Sequence, residues 1–429
     1  MLLQEVGTSD KAVEGYKDLV DDGILEALHK TGRNLRGIRV CHVSSSPYGG
    51  GIAEMLYAIV PLERNLGLDV SWMALRGDER IYRTGKLIHN GLQGAAVEIG
   101  EAEQRAYRDW NRLAVLELLP RKYDIVIIHT SNLLGLPCDC PDSNTRWIWR
   151  CHGETSHPDP SVWVFIKAIT ERYHGAVFTS RDFVPEDLKL PRVTSILPAI
   201  DPLSPKNRDL PIKQCREFAE SFGIGQNLPI VLHTSRLDQW QDPDGMIRSY
   251  YIAKDSVPDL QLVVITSLSL DDPDTFATLR IVDEEASKDE DIHVFTNMDG
   301  FGDLEVNAFQ RVCRVGLHRS LREGFGMPVT EALWKGKPVI GSRASGIKAL
   351  LTGKLEYCLT DTAEEAGTKL AMLLTDDSRA GELGEFGRKS VQSGFLITRL
   401  LGEELAFFES VLELSKTPSP NQATTKDVK

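Results

Sequence analysis

The segment Arg322-Glu323-Gly324-Phe325-Gly326-Met327-Pro328-Val329-Thr330-Glu331-Ala332 sets two carboxylates around a glycine-punctuated turn. Proline is favoured at the first position of a helix, so Pro328 marks a helix start. That leaves the backbone N–H groups of Phe325, Gly326 and Met327 unpaired at its mouth. Such a start attracts an anion. Glu323 in the loop and Glu331 in the first helical turns add acceptors for hydroxyl groups, which suits sugar and ribose hydroxyls around a diphosphate. Taken alone, Glu331 does no more than complement the helix dipole.

Three further segments offer related chemistry. In Tyr48-Gly49-Gly50-Gly51-Ile52-Ala53-Glu54, the glycines let backbone N–H groups approach a ligand closely, although a tight strand-to-helix turn needs the same residues. In Ser235-Arg236-Leu237-Asp238-Gln239-Trp240-Gln241-Asp242-Pro243, Arg236 can grip phosphate oxygens as a fork or pair with Asp238 or Asp242. In Trp149-Arg150-Cys151-His152-Gly153-Glu154, His152 can bond a hydroxyl or simply pack. A nicotinamide-dinucleotide site is not supported. The G-x-G-x-x-G spacing is absent, and the second strand ends in Ala74-Leu75-Arg76 without a ribose-binding acid.

Each segment directly follows a β-branched run that reads as a strand. Helical spacing from Lys11 to Lys30 predicts one or two opening helices. Strands are then expected at Gly37–Val43, Leu68–Leu75, Asp124–Ile128, Arg146–Cys151 and Ala176–Thr179. The Pro-containing stretch Ile196–Asp209 interrupts the rhythm as a linker. Strands resume at Ile230–Thr234, Leu260–Thr266, Ile292–Thr296, Val315–His318 and Pro338–Gly341, with helices such as Asp303–Val312 and Pro328–Trp334 between them. Strands alternating with helices make parallel sheets covered on both faces. The expected organisation is an α/β unit over 1–200, a second over 201–385, helices at 386–415 crossing back to the first, and a disordered tail at 416–429. Ligands of such sheets bind at the C-terminal strand ends, here in a cleft between the units.

Composition narrows the partners. Lys and Arg total 49 against 62 Asp and Glu, a formal charge of −13 that argues against a nucleic-acid interface. No run approaches the roughly 18 apolar residues of a membrane span. The 7 cysteines are scattered and odd in number, which reads as cytosolic thiols and a cytoplasmic protein. Cys138-x-Cys140 is too tight and isolated for a zinc site.

Taken together, the motifs resemble the retaining family 4 glycosyltransferases of the GT-B fold, in which two Rossmann-like β/α/β domains face a central cleft. Within them the chain is similar to the trehalose glycosyltransferring synthases. The resemblance runs to about residue 410 through PYGGGIAEMLYAIVPLERNLGLDVSW (47–72), HNGLQG (89–94), RCHGE (150–154), AIDPLSPKN (199–207), SRLDQWQDP (235–243), DLEVNAFQR (303–311) and SLREGFGMPVTEALWKGKPVIG (320–341). It implies transfer of glucose from a nucleoside-diphosphate-glucose to an acceptor sugar, glucose itself giving trehalose. Anomeric configuration would be retained by front-face attack.

The resemblance also implies roles. Arg236 and Gln241 would stand at the donor diphosphate, supported by the backbone of Gly324, Phe325, Gly326 and Met327. Glu323 would bind hydroxyls of the transferred glucose, and Glu331 the ribose. His152 would lie beside the reacting sugar, Gly50 and Gly51 near the phosphates, and Asn90, Gln93 and Glu154 on the acceptor side. It implies no metal and no cofactor beyond the sugar nucleotide. The expected partners are these small molecules, with no nucleic acid, no membrane and a possible second copy of the chain.

Departures from the family pattern fall on the phosphate and acceptor surfaces. Gln241 stands where a lysine is usual, Glu154 where an aspartate is, and His129-Thr130-Ser131-Asn132 where HDPQ is. Arg343, Lys335 and Lys337 are the candidate cations to replace the missing one. Two alternatives stay open: a trehalose phosphorylase using free phosphate, and a weakly catalytic sugar- or nucleotide-binding protein.

Overall fold

A strand that is apolar on both faces must be covered on both faces, and the chain contains many such strands. Ile125–Ile128 reads IVII and is buried throughout, as is Gln261–Thr266. The computed structural model describes residues 1–140, 144–225, 228–268 and 274–413. The tail expected to be disordered at 416–429 lies outside the described residues.

The first sheet contains β1 (Leu3–Glu5), β2 (Arg39–Ser44), β3 (Asp69–Leu75), β4 (Ile125–Ile128), β5 (Arg146–Arg150), β6 (Gly175–Phe178) and β7 (Val193–Ser195). Their order is β1-β3-β2-β4-β5-β6-β7. Every pair is parallel except β1 with β3. One face packs against helices Asp22–Asn34, Gly51–Asn65 and Ile397–Glu413; the other packs against Glu79–Leu92, Glu101–Leu118 and Pro160–Thr170.

The second sheet contains β8 (Ile230–Ser235), β9 (Gln261–Thr266), β10 (Ile292–Thr296), β11 (Val315–His318), β12 (Val339–Ser342) and β13 (Leu359–Thr360), all parallel, in the order β10-β9-β8-β11-β12-β13. Helices Pro243–Lys254, Met327–Trp334 and Ala363–Thr375 cover one face, and Ile212–Ser221 and Asp303–Val312 the other.

The order of each sheet reverses once, between β2 and β4 and between β8 and β11. The C-terminal ends of strands flanking such a reversal leave a crevice where ligands bind. The glycine segment follows β2, the Arg236 segment β8 and the Glu323 segment β11.

The structure corrects three details of the sequence reading. The stretch Lys11–Lys30 contains a 3₁₀ turn at Val13–Tyr16, and its helix, Asp22–Asn34, runs beyond it. Helix Met327–Trp334 begins one residue early, so Pro328 is its second residue; Gly326, at φ +90°, occupies the cap. The edge strands β1, β7 and β13, two or three residues long, add to the strands expected from the apolar runs.

The lobes are joined twice. Within the Ile196–Asp209 stretch, Ile200 N–H donates to Phe395 O and Ile397 N–H donates back to Ile200 O, each at 2.9 Å, so the two crossings lie side by side. Helix Asp377–Gly394 packs on Met327–Trp334 in the second lobe, while Ile397–Glu413 packs on Asp22–Asn34 in the first.

Candidate active site

The loop after β11 turns back on itself and half-buries the Glu323 carboxylate among polar side chains. Glu323 Oε2 lies 3.1 Å from His318 Nε2 and accepts from Ser320 Oγ at 3.2 Å and Gln241 Nε2 at 3.4 Å. Burial alone raises this carboxyl, but the hydrogen bonds and charge of its neighbours, His318 first, bring it below the ordinary glutamate range. Ser320 is fixed in turn by Ser342, whose Oγ donates to Ser320 O at 2.7 Å. Beyond Glu323, the N–H groups of Phe325, Gly326 and Met327 make no hydrogen bond among the described residues, as the helix start predicts.

The glycine segment of the first lobe meets this region directly. A Cβ on Gly50 would lie 3.6 Å from Arg236 Cζ, and one on Gly51 would come within 2.8 Å of Met327 Cγ. A Cβ on Gly324 would collide with the carbonyl oxygen of His152. Glycine here permits a close approach of two lobes, not merely a tight turn. The structure therefore brings Gly50, Gly51, His152, Arg236, Gly324 and Met327 together at one interface. The two acids beside Arg236 in sequence have cationic partners elsewhere: Asp242 takes Arg319 Nε at 3.0 Å and caps helix Pro243–Lys254, while Asp238 takes Lys86 Nζ at 3.3 Å.

Asn90, Gln93 and Glu154 are also near the interface, each bonded to protein. Asn90 Oδ1 accepts from Trp240 Nε1 across the lobes at 3.2 Å. Gln93 Oε1 accepts from Glu154 N–H at 3.4 Å. Glu154 Oε2 pairs with Arg322 Nη1 at 2.7 Å, and its Oε1 accepts from Ser156 Oγ. Lys86–Asp238, Asn90–Trp240 and Glu154–Arg322 thus span the cleft.

Glu331, expected to frame one small site with Glu323, is engaged by protein partners. It is 2% exposed; its Oε2 accepts from Gln310 Nε2 at 2.9 Å and its Oε1 lies 3.9 Å from Lys206 Nζ. Lys206, from the linker, also pairs with Glu54 of the first lobe and lies 3.6 Å from Asp303. Burial lowers its proton affinity, but Glu54, Glu331 and Asp303 outweigh that and raise it. The expected replacement cations stand elsewhere. Lys335 is buried, donates to Asn207 and Gln310, and is pushed down to about 7 by burial. Arg343 pairs with Asp361 at the surface, and Lys337 is lowered, chiefly by burial.

His318, Ser320, Ser342, Arg322, Trp240 and Lys206 belong to this region and were missed. His318 and Ser320 immediately precede the Glu323 motif, so their place at a strand end was the available signal. Lys206 looked like an ordinary linker residue.

Among the described residues, no group of three or more His, Cys, Asp or Glu is placed to hold a metal ion, and no helix is long and apolar enough to cross a membrane.

Two lobes built on mostly parallel sheets, with their reversal points facing one another, define the GT-B fold. The α,α-trehalose 6-phosphate synthase of Burkholderia multivorans shares this fold, with a TM-score of 0.67 at 14% identity over 89% of this chain and 100% of that one. Residues 42–185 match the family described as "Trehalose synthase, N-terminal domain", and residues 215–390 match "Glycosyl transferases group 1". The chain is 37% identical to the trehalose synthase of Rubrobacter xylanophilus over 96% of its own length and 100% of that protein. It is 33% identical to that of Thermococcus litoralis over 94% and 98%. The chain belongs to the trehalose synthase family of group 1 glycosyltransferases.

Proposed function

We propose that this protein moves glucose from a nucleoside-diphosphate-glucose to a sugar acceptor, glucose itself yielding trehalose, with retention at the anomeric carbon. The observation that carries the reading is the Glu323 carboxylate, held in its charged form beside the unbonded N–H groups of Phe325, Gly326 and Met327. An acceptor for sugar hydroxyls and donors for phosphate oxygens thereby stand side by side, with Arg236 reaching the same interface.

In this reading Arg236 and the N–H groups hold the diphosphate and stabilise the charge that develops as it leaves. Glu323 accepts from hydroxyls of the glucosyl unit and His152 faces it from the other lobe. The bond from the anomeric carbon to the phosphate oxygen breaks as the bond to the acceptor oxygen forms on the same face. The acceptor's proton passes to the departing phosphate oxygen, so no protein nucleophile is needed, unlike a two-carboxylate glycosidase. No metal is required either, because Arg236 and the helix start supply the positive potential. A ribose hydroxyl at Glu331 requires Lys206 to yield Oε1. Asn90, Gln93 and Glu154 shape the acceptor side, and the reaction belongs to the cytoplasm.

The test is a matrix of UDP-, ADP- and GDP-glucose against acceptor sugars, read by mass spectrometry. Diphosphate release that depends on both sugars, with a disaccharide formed, supports the reading. Disaccharide turnover that instead depends on free phosphate identifies a phosphorylase, and donor binding without any product identifies a binding protein.

A further inference from the structure

Three histidines and a glutamate form one continuous hydrogen-bonded line through the first lobe. His42 lies in β2, His129 follows β4 and His152 follows β5, and these strands are neighbours in the sheet. His42 pairs in register with Ile127, and Ile128 with Trp149, so the three rings stand abreast near the C-terminal strand ends. Glu63 Oε2 lies 3.0 Å from His42 Nε2, His42 Nδ1 is 3.0 Å from His129 Nε2, and His129 Nδ1 is 2.9 Å from His152 Nε2. Glu63 comes from helix Gly51–Asn65 and is wholly buried. His152 ends the line at the lobe interface, where its carbonyl oxygen packs against Gly324; its Nδ1 has no partner among the described residues.

We infer that Glu63, through His42 and His129, is a positioning residue that fixes the proton of His152 on Nδ1, so that His152 presents a hydrogen-bond donor to the cleft. The inference deepens the glucosyl-transfer reading above and rests on it for its catalytic consequence.

The direction follows from charge. A buried carboxylate needs a compensating proton. If that proton rests on His42, the ring is a cation and its Nδ1–H donates to His129 Nε2. If it rests on Glu63, the acid donates to His42 Nε2 and the neutral ring again carries Nδ1–H. Either way His129 must hold its hydrogen on Nδ1 and donate to His152 Nε2, leaving the hydrogen of His152 on Nδ1. Only an uncompensated Glu63 anion reverses the line.

The other charged groups near it do not supply that compensation. Arg150 Nε faces Glu404 Oε1 at 3.7 Å, and Arg64 spends its Nε and Nη1 on Val70 O and Thr8 Oγ1. Proton affinities agree: burial lowers that of His42, yet Glu63 outweighs it and the net shift is upward. Burial first, and Arg150 after it, hold His152 down as a neutral ring.

The test is 15N NMR of the full chain with labelled imidazoles, His152 being assigned by comparison with His152→Gln. Protonated Nδ1 and bare Nε2 on His152, with an N–N coupling across its bond to His129 Nδ1, support the inference. Protonated Nε2, or rapid averaging of the two nitrogens, overturns it. Glu63→Gln keeps the shape but removes the charge; it should release the His152 tautomer to averaging and lower kcat roughly 10- to 100-fold, by analogy with the partners that orient metal-bound imidazoles. A fixed His152 in that variant overturns the role of Glu63. An intact line in a protein that transfers no sugar refutes the functional reading alone. Transfer by a protein whose His152 carries its hydrogen on Nε2 refutes the line alone.

Discussion

Gln241 Nε2 donates to Glu323 Oε2 across 3.4 Å, tying the turn after β8 to the loop after β11 through an amide. The family resemblance implies a lysine at this position, and an amide offers a diphosphate a hydrogen bond but no charge. Gln241→Lys should therefore tighten sugar-nucleotide binding about tenfold, at the lower end of what a charged hydrogen bond contributes. Calorimetric titration with the donor reads this directly. An unchanged dissociation constant would remove position 241 from the diphosphate site.

Glu323→Gln keeps the volume of the side chain and one carbonyl acceptor for His318, Ser320 or Gln241. The fold should survive, with a Tm within a few degrees of the parent. Transfer should fall by about 10²- to 10³-fold in kcat, the usual consequence of losing one oriented electrostatic partner at a reacting centre. Full activity in this variant would displace Glu323 from the reaction.

Arg236 is exposed and lies against the glycine segment of the opposite lobe. Its removal should barely affect stability, about ±0.5 kcal/mol as for surface positions generally. Arg236→Ala should instead weaken diphosphate binding by about 1.5–3 kcal/mol, and nucleoside diphosphate inhibition constants measure that loss. Inhibition unaltered in the variant would place the phosphates elsewhere.

The two sheets were legible because their central strands are continuous apolar runs separated by glycine-containing turns. The edges were not. The short strands β1, β7 and β13 owe their pairing to a neighbour already in place, and two or three residues carry no period. Within the site, Glu323, Arg236 and the glycines announced themselves by local motif. Partners supplied by folding did not: His318 reaches Glu323 only because the intervening loop reverses, and His42, His129 and His152 become a line only through strand register. A further signal lies in the sequence itself. Glu63 falls on the buried face of an amphipathic helix, four residues after Ile59, where an acid needs a partner.

His233 gives the site a pH limit. Its Nδ1 lies 2.9 Å from Leu317 O, so Nδ1 carries the hydrogen and Nε2 accepts from Ser235 Oγ at 2.7 Å. Burial, then the charge of His318, push this ring down to about 3. Below about pH 6.5 the unfolded chain binds a proton at this position that the folded chain refuses. Stability conferred by the neutral ring is complete above 6.5 and is lost as pH falls toward 3, by up to about 1.4 kcal/mol per unit. His233→Gln should be less stable at pH 7, with a shallower decline between pH 6 and 4 in urea melts. Parallel declines would show that His233 titrates normally in the fold.

Glu154 and Arg322 meet across the cleft at 2.7 Å, with side chains 7% and 29% exposed, and both carboxylate oxygens of Glu154 are engaged. A pair so enclosed holds the lobes together more than it awaits a ligand. Arg322 also stacks 5.9 Å from the Trp240 ring, and Trp240 in turn bonds Asn90, so the contact is one element of a seam. Breaking the pair should loosen the seam. Arg322→Ala and Glu154→Gln should each enlarge the radius of gyration in solution scattering and raise the acceptor KM. The double variant should be little worse than either single one, with a coupling of about 1 kcal/mol. Additive losses would mean that the two side chains act separately, Glu154 on the acceptor and Arg322 on the fold.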